Sequence, residues 1–396
     1  MKIYEIGTGY TPIPAQVAAA TESVVEELTK AYLKMGCPVE IIDISSDNRA
    51  ENNLPITQVN VPSVFTKSDV SLGLIHKLKR VVYSVCLAFK LKKLLKKMNE
   101  KSILHFHNQY NLFFFIKLVS KKKRQNAYIA FTNHSYIWHG DWNDIQSIIS
   151  KRYFQEVYSM PFADRVFVLN QKARNNIAEH TRVDKNKIVL IPNGVNTDIY
   201  KPISSQERNL ILKKNDLDGK KIVIQVGSVC ERKNQLFAIK TLLPFMKQDS
   251  DIVYCYAGGI IDENYQAEIN KYISENSIES QVRYFGELKP GKELNELYNM
   301  ANLMIFPSMA EGFSLTIVEA MSAGIPVAIK KNLIFELSDK CFTFENQAEF
   351  AEIMDNSVLN LGYDFSEKLS TFIKQIFSWN NVAQEYLNTF NRIEGE

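Results

Sequence analysis

The stretch Met304–Ile329, MIFPSMAEGFSLTIVEAMSAGIPVAI, decides how the rest of the chain reads. An apolar run ends at Pro307, a short loop holds Glu311 and Gly312, and a helical pattern runs from about Phe313–Ser314 to Ala323. Gly324 closes that helix and Val327 opens a second apolar run. Strand, loop, helix and strand in this order make one unit of a parallel sheet. In such sheets ligands bind beyond the carboxyl ends of the strands. The amides that open a helix, here those of Phe313, Ser314, Leu315 and Thr316, favour anions and phosphate above all. Gly312 allows close backbone approach. Glu311 lies in the loop and Glu319 just over two turns into the helix, so both can face one ligand. A carboxylate accepts from two neighbouring hydroxyls, as on ribose or a hexose. The same residues also fit a plain helix cap followed by a solvated glutamate, and the two glutamates alone do not separate these readings.

The alternation extends outward in both directions. Upstream, Lys2–Ile6, Val39–Ile44, Ile103–His107, Tyr128–Asn133, Arg165–Leu169 and Ile188–Pro192 read as strands, with a helix over Ala18–Met35 closed by Gly36. Asn48–Ser71 is polar and reads as an irregular, mobile surface loop. The turn-rich segment Asn193–Pro202, NGVNTDIYKP, looks like a hinge, after which strands at Lys221–Gly227, Ile252–Ala257, Val282–Tyr284, Leu303–Pro307 and Val327–Ile329 restart the pattern. The expected fold class is α/β, with two Rossmann-like domains.

Composition narrows the function classes. The chain has 396 residues, 45% of them apolar and 23% charged, enough apolar surface to form cores. Its 47 Lys plus Arg against 44 Asp plus Glu leave a net charge of +3, so no global basic field points to nucleic acid. The five cysteines show no paired spacing and read as reduced thiols. The opening MKIYEIG enters a strand directly and no apolar run is long enough to span a bilayer, so a cytoplasmic location is expected.

EGFSLTIVE followed by AMSAGIPV resembles the Glu-x7-Glu segment of the retaining GT-B glycosyltransferases of the glycosyltransferase 4 family. The resemblance continues through ADRVFVLNQKARNNI (163–177), IPNGVNTDIYKP, VIQVGSVCERKNQ (223–235), YAGG (256–259), VRYFG (282–286) and FSWNNVAQEYLNTF (377–390), in the family's order. It implies a GT-B fold with two domains facing a central cleft. Residues 1–198 would form the acceptor-side domain, 199–377 the nucleotide-sugar domain, and a final helix, 378–396, would return to the first. It also implies transfer of a hexose-type sugar from a nucleoside-diphosphate sugar, such as a UDP-sugar, with retention and without a metal or other cofactor.

Carried over by position, Glu319 would hold the donor ribose, Glu311 the transferred sugar, and the amides of Phe313–Thr316 the sugar and phosphates. Lys233 would bind the diphosphate. Gly227 is followed by Ser228 where the family usually has arginine, leaving Arg232 as the candidate second cation. Fixed cations there would stabilise the leaving diphosphate. Gly258 would let a loop approach the nucleotide, and the backbone at Tyr284–Phe285 would lie near the base. In place of the family's Gly-Gly pair, the chain has Ala18, Ala19 and Ala20, whose backbone amides would inherit any donor contact. His134, in TNHS (132–135), resembles the histidine that reaches the sugar near the reacting carbon and is paired with Glu311 as catalytic. His107, in HFHN (105–108), reads as structural or acceptor-side. His105 and His107 face one side of a strand, but no carboxylate or thiol joins them locally, so no metal site is expected. Asp216–Asp218 and Asp249–Asp251 read as loop acids.

The helix over 72–101 carries Lys77, Lys79, Arg80, Lys90, Lys92, Lys93, Lys96, Lys97 and Lys101 among apolar residues, with one acid, Glu100. It fits either a peripheral contact with an anionic membrane face or a core-packed helix with solvated lysines. The expected acceptor is a glycan, a lipid-linked precursor or another hydroxyl compound, consistent with polysaccharide or cell-envelope synthesis. Two competing classes are a nucleotide-sugar epimerase of GT-B fold and a non-catalytic nucleotide-sugar-binding subunit. A nicotinamide-dependent dehydrogenase lacks its G-x-G-x-x-G signature.

Overall fold

A computed structural model describes the chain except residues 15–18, 66–73, 332, 334–336, 338–339, 356–362 and 396. The expected contact at Ala18 and the first residues of helix 72–101 therefore lie outside the described residues. The chain divides into two units, Met1–Gly194 with Trp379–Glu396, and Val195–Ser378.

The first unit is built on β1 (Ile3–Ile6), β2 (Val39–Ile44), β3 (Ile56–Val59), β4 (Ser102–Phe106), β5 (Ala127–Asn133), β6 (Arg165–Val168) and β7 (Ile188–Leu190). They form one parallel sheet in the order β3-β2-β1-β4-β5-β6-β7. Its helices are α1 (Ala20–Lys34), α2 (Leu74–Leu95), α3 (Gln109–Leu118), α4 (Trp142–Arg152), α5 (Phe154–Ser159) and α6 (Gln171–His180). Strands of a sheet covered on both faces are buried along their whole length, and every residue of β1 and β4 is buried.

The second unit follows the same logic. It contains β8 (Lys221–Val226), β9 (Ile252–Ala257), β10 (Val282–Tyr284), β11 (Leu303–Phe306), β12 (Val327–Lys330) and β13 (Phe342–Phe344), in the order β10-β9-β8-β11-β12-β13 and all parallel. Around them lie α7 (Ser205–Lys214), α8 (Gln235–Gln248), α9 (Glu263–Glu275), α10 (Lys292–Met300), α11 (Leu315–Ser322), α12 (Gln347–Asp355) and α13 (Tyr363–Phe377). The last helix, α14 (Trp379–Gly395), belongs to the first unit. Its Val382, Ala383, Tyr386 and Phe390 share a core with Val24, Leu28 and Tyr32 of α1 and Phe167 of β6.

The segment read as an irregular loop over 48–71 is corrected in part. Ile56–Val59 adds a parallel edge strand to β2, and Ser63–Phe65 forms a short 3-10 turn. A four-residue strand with Thr57 and Gln58 at its centre has no local apolar signature. Only the neighbouring strand's unpaired backbone groups define it.

Of the acidic pairs, Asp249 and Asp251 accept from Lys221 and Lys220 at 2.9 and 2.7 Å, as turn-forming ion pairs at the surface. The five cysteines are thiols. Among the described residues no helix is long and apolar enough to cross a membrane.

Candidate active site

In the second unit, β8 and β9 end side by side, and their following glycines meet. A Cβ at Gly258, φ +146°, would lie 2.1 Å from the Gly227 carbonyl oxygen. Glycine is thus required for two loops to pass each other, a packing demand apart from any ligand. Gly227, φ +152°, leaves room for the Lys233 stem, 3.2 Å from where its Cβ would sit.

The chain then forms a 3-10 turn over Glu231–Lys233 and enters α8 through Asn234, which takes the left-handed conformation at φ 61°. Buried Gln225 donates to the Lys233 carbonyl at 2.7 Å and accepts from Tyr254 at 2.8 Å, which anchors the turn to the sheet. Gln235 ties down the Ser228 carbonyl at 3.0 Å. The loop after β11 docks on this turn: Met309 N–H donates to the Arg232 carbonyl at 2.8 Å, and Ser308 Oγ lies 3.2 Å from the same oxygen.

These restraints bring Arg232, Lys233 and Glu311 together. Lys233 Nζ and Arg232 Nη1 donate to Glu311 Oε1 at 2.7 and 2.6 Å, and Ser308 Oγ donates to the same oxygen at 2.7 Å. Arg232 also reaches the Ala310 carbonyl at 3.0 Å, which settles the direction of a side chain the sequence left open. Lys233 is only 9% exposed and lies 5.0 Å from the Phe306 ring centre. Burial would raise the Glu311 carboxyl, but Lys233 and then Arg232 outweigh it and hold it below the ordinary carboxylate range. Two cations converging on one carboxylate oxygen form an electropositive corner.

Gly312 follows in the loop. Phe313 packs its ring on the core, with its centre 6.4 Å from that of Phe377. Ser314 stands at the N-cap of α11 but its hydroxyl pairs with that of Thr316 at 2.9 Å and caps no backbone amide. Leu315 and Thr316 are partly buried in the first turn. Glu319, two turns on, accepts from Tyr298 at 2.8 Å. Burial pushes its carboxyl up to about 7, with hydrogen bonds from Tyr298 and Tyr200 opposing. Tyr284 stacks on Tyr256 with ring centres 4.8 Å apart and donates to the Gly258 carbonyl at 2.7 Å.

His134 belongs to the first unit. It leads out of β5 in a loop gripped by Glu156, a buried carboxylate on α5. Glu156 accepts from Asn133 at 3.0 Å, from Trp138 at 2.6 Å and from the Ser135 hydroxyl. Asn133 in turn accepts from the Ser135 amide at 3.0 Å. Beneath His134 lies His107, whose Nδ1 is 3.0 Å from His134 Nε2.

His107 and His105 both meet Glu5, a carboxylate absent from the sequence reading. His107 Nε2 is 2.6 Å from one oxygen of Glu5 and His105 Nδ1 is 3.0 Å from the other. The parallel register pairs Glu5 with His105 across β1 and β4, a contact between residues a hundred positions apart. A glutamate inside a fully buried central strand was the available signal. Burial alone would raise the Glu5 carboxyl, yet His105 and His107 bring it down to about 2. Burial lowers His107 to about 4 and His134 well below the ordinary histidine range. Glu5, His105 and His107 place their ligand-type atoms within 4.8 Å of one another, a donor set that a divalent cation could use. One nitrogen of each ring already faces its own oxygen of Glu5 at hydrogen-bond distance.

Residues 21–199 match the family model described as Glycosyltransferase Family 4, and residues 207–335 match that described as Glycosyl transferases group 1. The serotype-specific mannosyltransferase WbdA of Escherichia coli is 24% identical over 250 residues, covering 61% of this chain and 30% of WbdA. The alpha-galactosylglucosyldiacylglycerol synthase of Streptococcus pneumoniae is 25% identical over 240 residues, covering 58% of this chain and 60% of that enzyme. The chain thus matches well under half the length of WbdA. Among solved structures, the sucrose-phosphate synthase of Thermosynechococcus elongatus superposes with a TM-score of 0.75 at 18% identity, covering 100% of this chain and 99% of that one. Anabaena HepE in complex with UDP and glucose gives a TM-score of 0.70 at 15% identity, covering 99% of this chain and 100% of that one. With family models matched in order across both units and a fold shared over the whole length, the chain belongs to the family 4, group 1 glycosyltransferases of GT-B fold.

Proposed function

We propose that this protein is a retaining glycosyltransferase that moves a hexose-type sugar from a nucleoside-diphosphate sugar to a hydroxyl acceptor, without a metal. The observation that carries this reading is the Arg232–Lys233–Glu311 corner beside the opening turn of α11, with Glu319 two turns on. A departing nucleoside diphosphate gathers negative charge, and preorganised cations and amides stabilise it most in the transition state. Lys233 and Arg232 supply that charge here. Glu311, held ionised and oriented by three donors, accepts from hydroxyls of the transferred sugar. Gly227, Gly258 and Gly312 shape the surrounding loops, Phe313–Thr316 offer their amides, and Glu319 receives the ribose hydroxyls. His134 is the first unit's sugar-binding residue. Retention follows from front-side attack through an oxocarbenium-like ion pair in which the diphosphate takes the acceptor's proton.

The acceptor is a glycan or a lipid-linked saccharide, and the enzyme works from the cytoplasmic side at an anionic membrane face. The relatives supply the precedent, since one is named as a mannosyltransferase and another as a diacylglycerol glycolipid synthase. The surface of the first unit supports it. The apolar side of α2 is spent on the core through Tyr83, Leu87, Leu91 and Leu95, which leaves Phe89 and Lys93 outward. Beside it, α3 packs against α5, which exposes Phe154 and Tyr158; Lys117 of α3 lies 4.0 Å over the Tyr158 ring, and Lys121–Lys123 are exposed. Basic side chains beside exposed aromatic rings suit an interfacial contact.

The test is transfer of labelled sugar from a panel of nucleotide sugars to membrane lipids and glycans, with the product anomer read by NMR and a chelator arm. Lys233→Met is expected to lower kcat by about 10²–10³-fold, the worth of one charge-stabilising donor. A folded protein that binds a nucleotide sugar yet transfers nothing to any hydroxyl acceptor would refute the reading.

A further inference from the structure

We propose that Glu5 and His107 are positioning residues that fix the tautomer of His134, presenting its Nδ1 to the ligand as a hydrogen-bond acceptor. The argument starts at the buried end. An ionised carboxylate only accepts, so His105 Nδ1 at 3.0 Å and His107 Nε2 at 2.6 Å must both be N–H donors to Glu5. A neutral His107 with its proton on Nε2 carries a lone pair on Nδ1. His134 Nε2, 3.0 Å from that lone pair, must then donate to it. A neutral His134 with its proton on Nε2 has its own lone pair on Nδ1. The polarity of the chain is therefore set from Glu5 outward, one ring at a time.

The surroundings hold this chain in place. Glu5, His105 and His107 are 0%, 0% and 3% exposed, so water does not compete for their hydrogen bonds. Thr132 binds His105 Nε2 at 2.7 Å and lies 3.2 Å from the hydroxyl of Tyr386 on α14, which keeps His105 against Glu5. His107 and His134 stack with ring centres 5.3 Å apart and planes 28° from parallel. Glu156 accepts from the side chains of Asn133 and Ser135, the residues on either side of His134.

The consequence is a selection rule that rests on the function proposed above. An acceptor nitrogen pairs with a sugar hydroxyl and repels a carboxylate at the same place. The transferred or accepting sugar is thus neutral where it meets His134, a hexose and not a uronic acid.

Long-range 1H–15N NMR of histidine-labelled full-length protein reads each ring's tautomer without any substrate, so it stands or falls separately from the transfer assay. Wild type is expected to show His134 and His107 with the proton on Nε2. Glu5→Gln leaves one acceptor oxygen for two N–H donors, and with its amide donor turned to His107 Nε2 both His107 and His134 should flip to protonated Nδ1. Turnover should fall about tenfold while the donor-nucleotide Kd stays the same, the effect of one misdirected neutral hydrogen bond. If Glu5→Gln does not fold, His107→Phe removes the acceptor and should leave His134 as a mixture of tautomers. Three results overturn the proposal. The first is wild-type His134 protonated on Nδ1 or on both nitrogens. The second is unchanged turnover in a variant whose tautomer has flipped. The third is a stoichiometric divalent cation retained by wild type and lost in Glu5→Gln, since His105 and His107 would then be lone-pair ligands.

Discussion

Nucleotide binding should depend on pH through one carboxyl group, Glu319. Its position half-buried in α11 against Tyr298 and Tyr200 raises it to about 7. A carboxylate that receives two ribose hydroxyls must be ionised, whereas a protonated one loses part of its acceptor capacity. The sign follows. The raised value means that the ligand-free protein keeps the proton below about pH 7, and ribose binding must displace it. From about pH 8 to about pH 6 the ionised fraction falls from about nine-tenths to about one-tenth, so affinity should fall roughly tenfold. The diphosphate titrates in the same range, so the useful quantity is a ratio. Calorimetry with a ribonucleoside diphosphate and its 2′,3′-dideoxy analogue, at matched pH, cancels the phosphate contribution. The ratio of their affinities should shrink about tenfold on acidification in wild type and stay flat in Glu319→Gln. A wild-type ratio constant within about twofold across this window would show that Glu319 does not receive the ribose.

Three further outcomes follow from the packing. Burial raises Glu22 to about 7, so its effect is absent below about pH 4.5 and destabilises the fold increasingly up to about pH 7. Glu22→Gln, which can still accept from Thr8, should therefore be more stable in urea by up to about 3 kcal/mol at about pH 8 and equal to wild type near pH 4.5. Gly258→Ala drives a methyl to 2.1 Å from the Gly227 carbonyl at φ +146°, and should lower stability by about 2 kcal/mol or more and weaken nucleotide binding, read by thermal shift with and without ligand. Glu156→Ala strands the donors of Asn133 and Trp138 and should cost about 3 kcal/mol or more in chemical denaturation, with broadened His134 resonances reporting the loosened loop.

The alternation of apolar runs with amphipathic segments was enough to read two parallel α/β units. Each central strand carries its burial in its own composition: KIVIQV and IVYCYA need no partner to be recognised. The edge strand Ile56–Val59 was not legible, because only its neighbour's open hydrogen-bonding edge makes it a strand. At the donor side, residues such as Glu311, Glu319 and Lys233 stood out because they lie in contiguous loop-to-helix stretches, where order along the chain nearly equals order in space. The direction of Arg232 was settled only by the docking of the loop after β11 onto the turn before α8. The restraints on His134 were hidden almost entirely. Glu5, His107 and Glu156 come from β1, from the end of β4 and from α5, and sequence carries no record of which strand pairs with which. Local pattern thus determined the elements and the residues with the right chemistry. Tertiary structure alone decided which acids and bases share a proton, because a hydrogen bond depends on separations of about 3 Å that parallel register, and not spacing along the chain, sets.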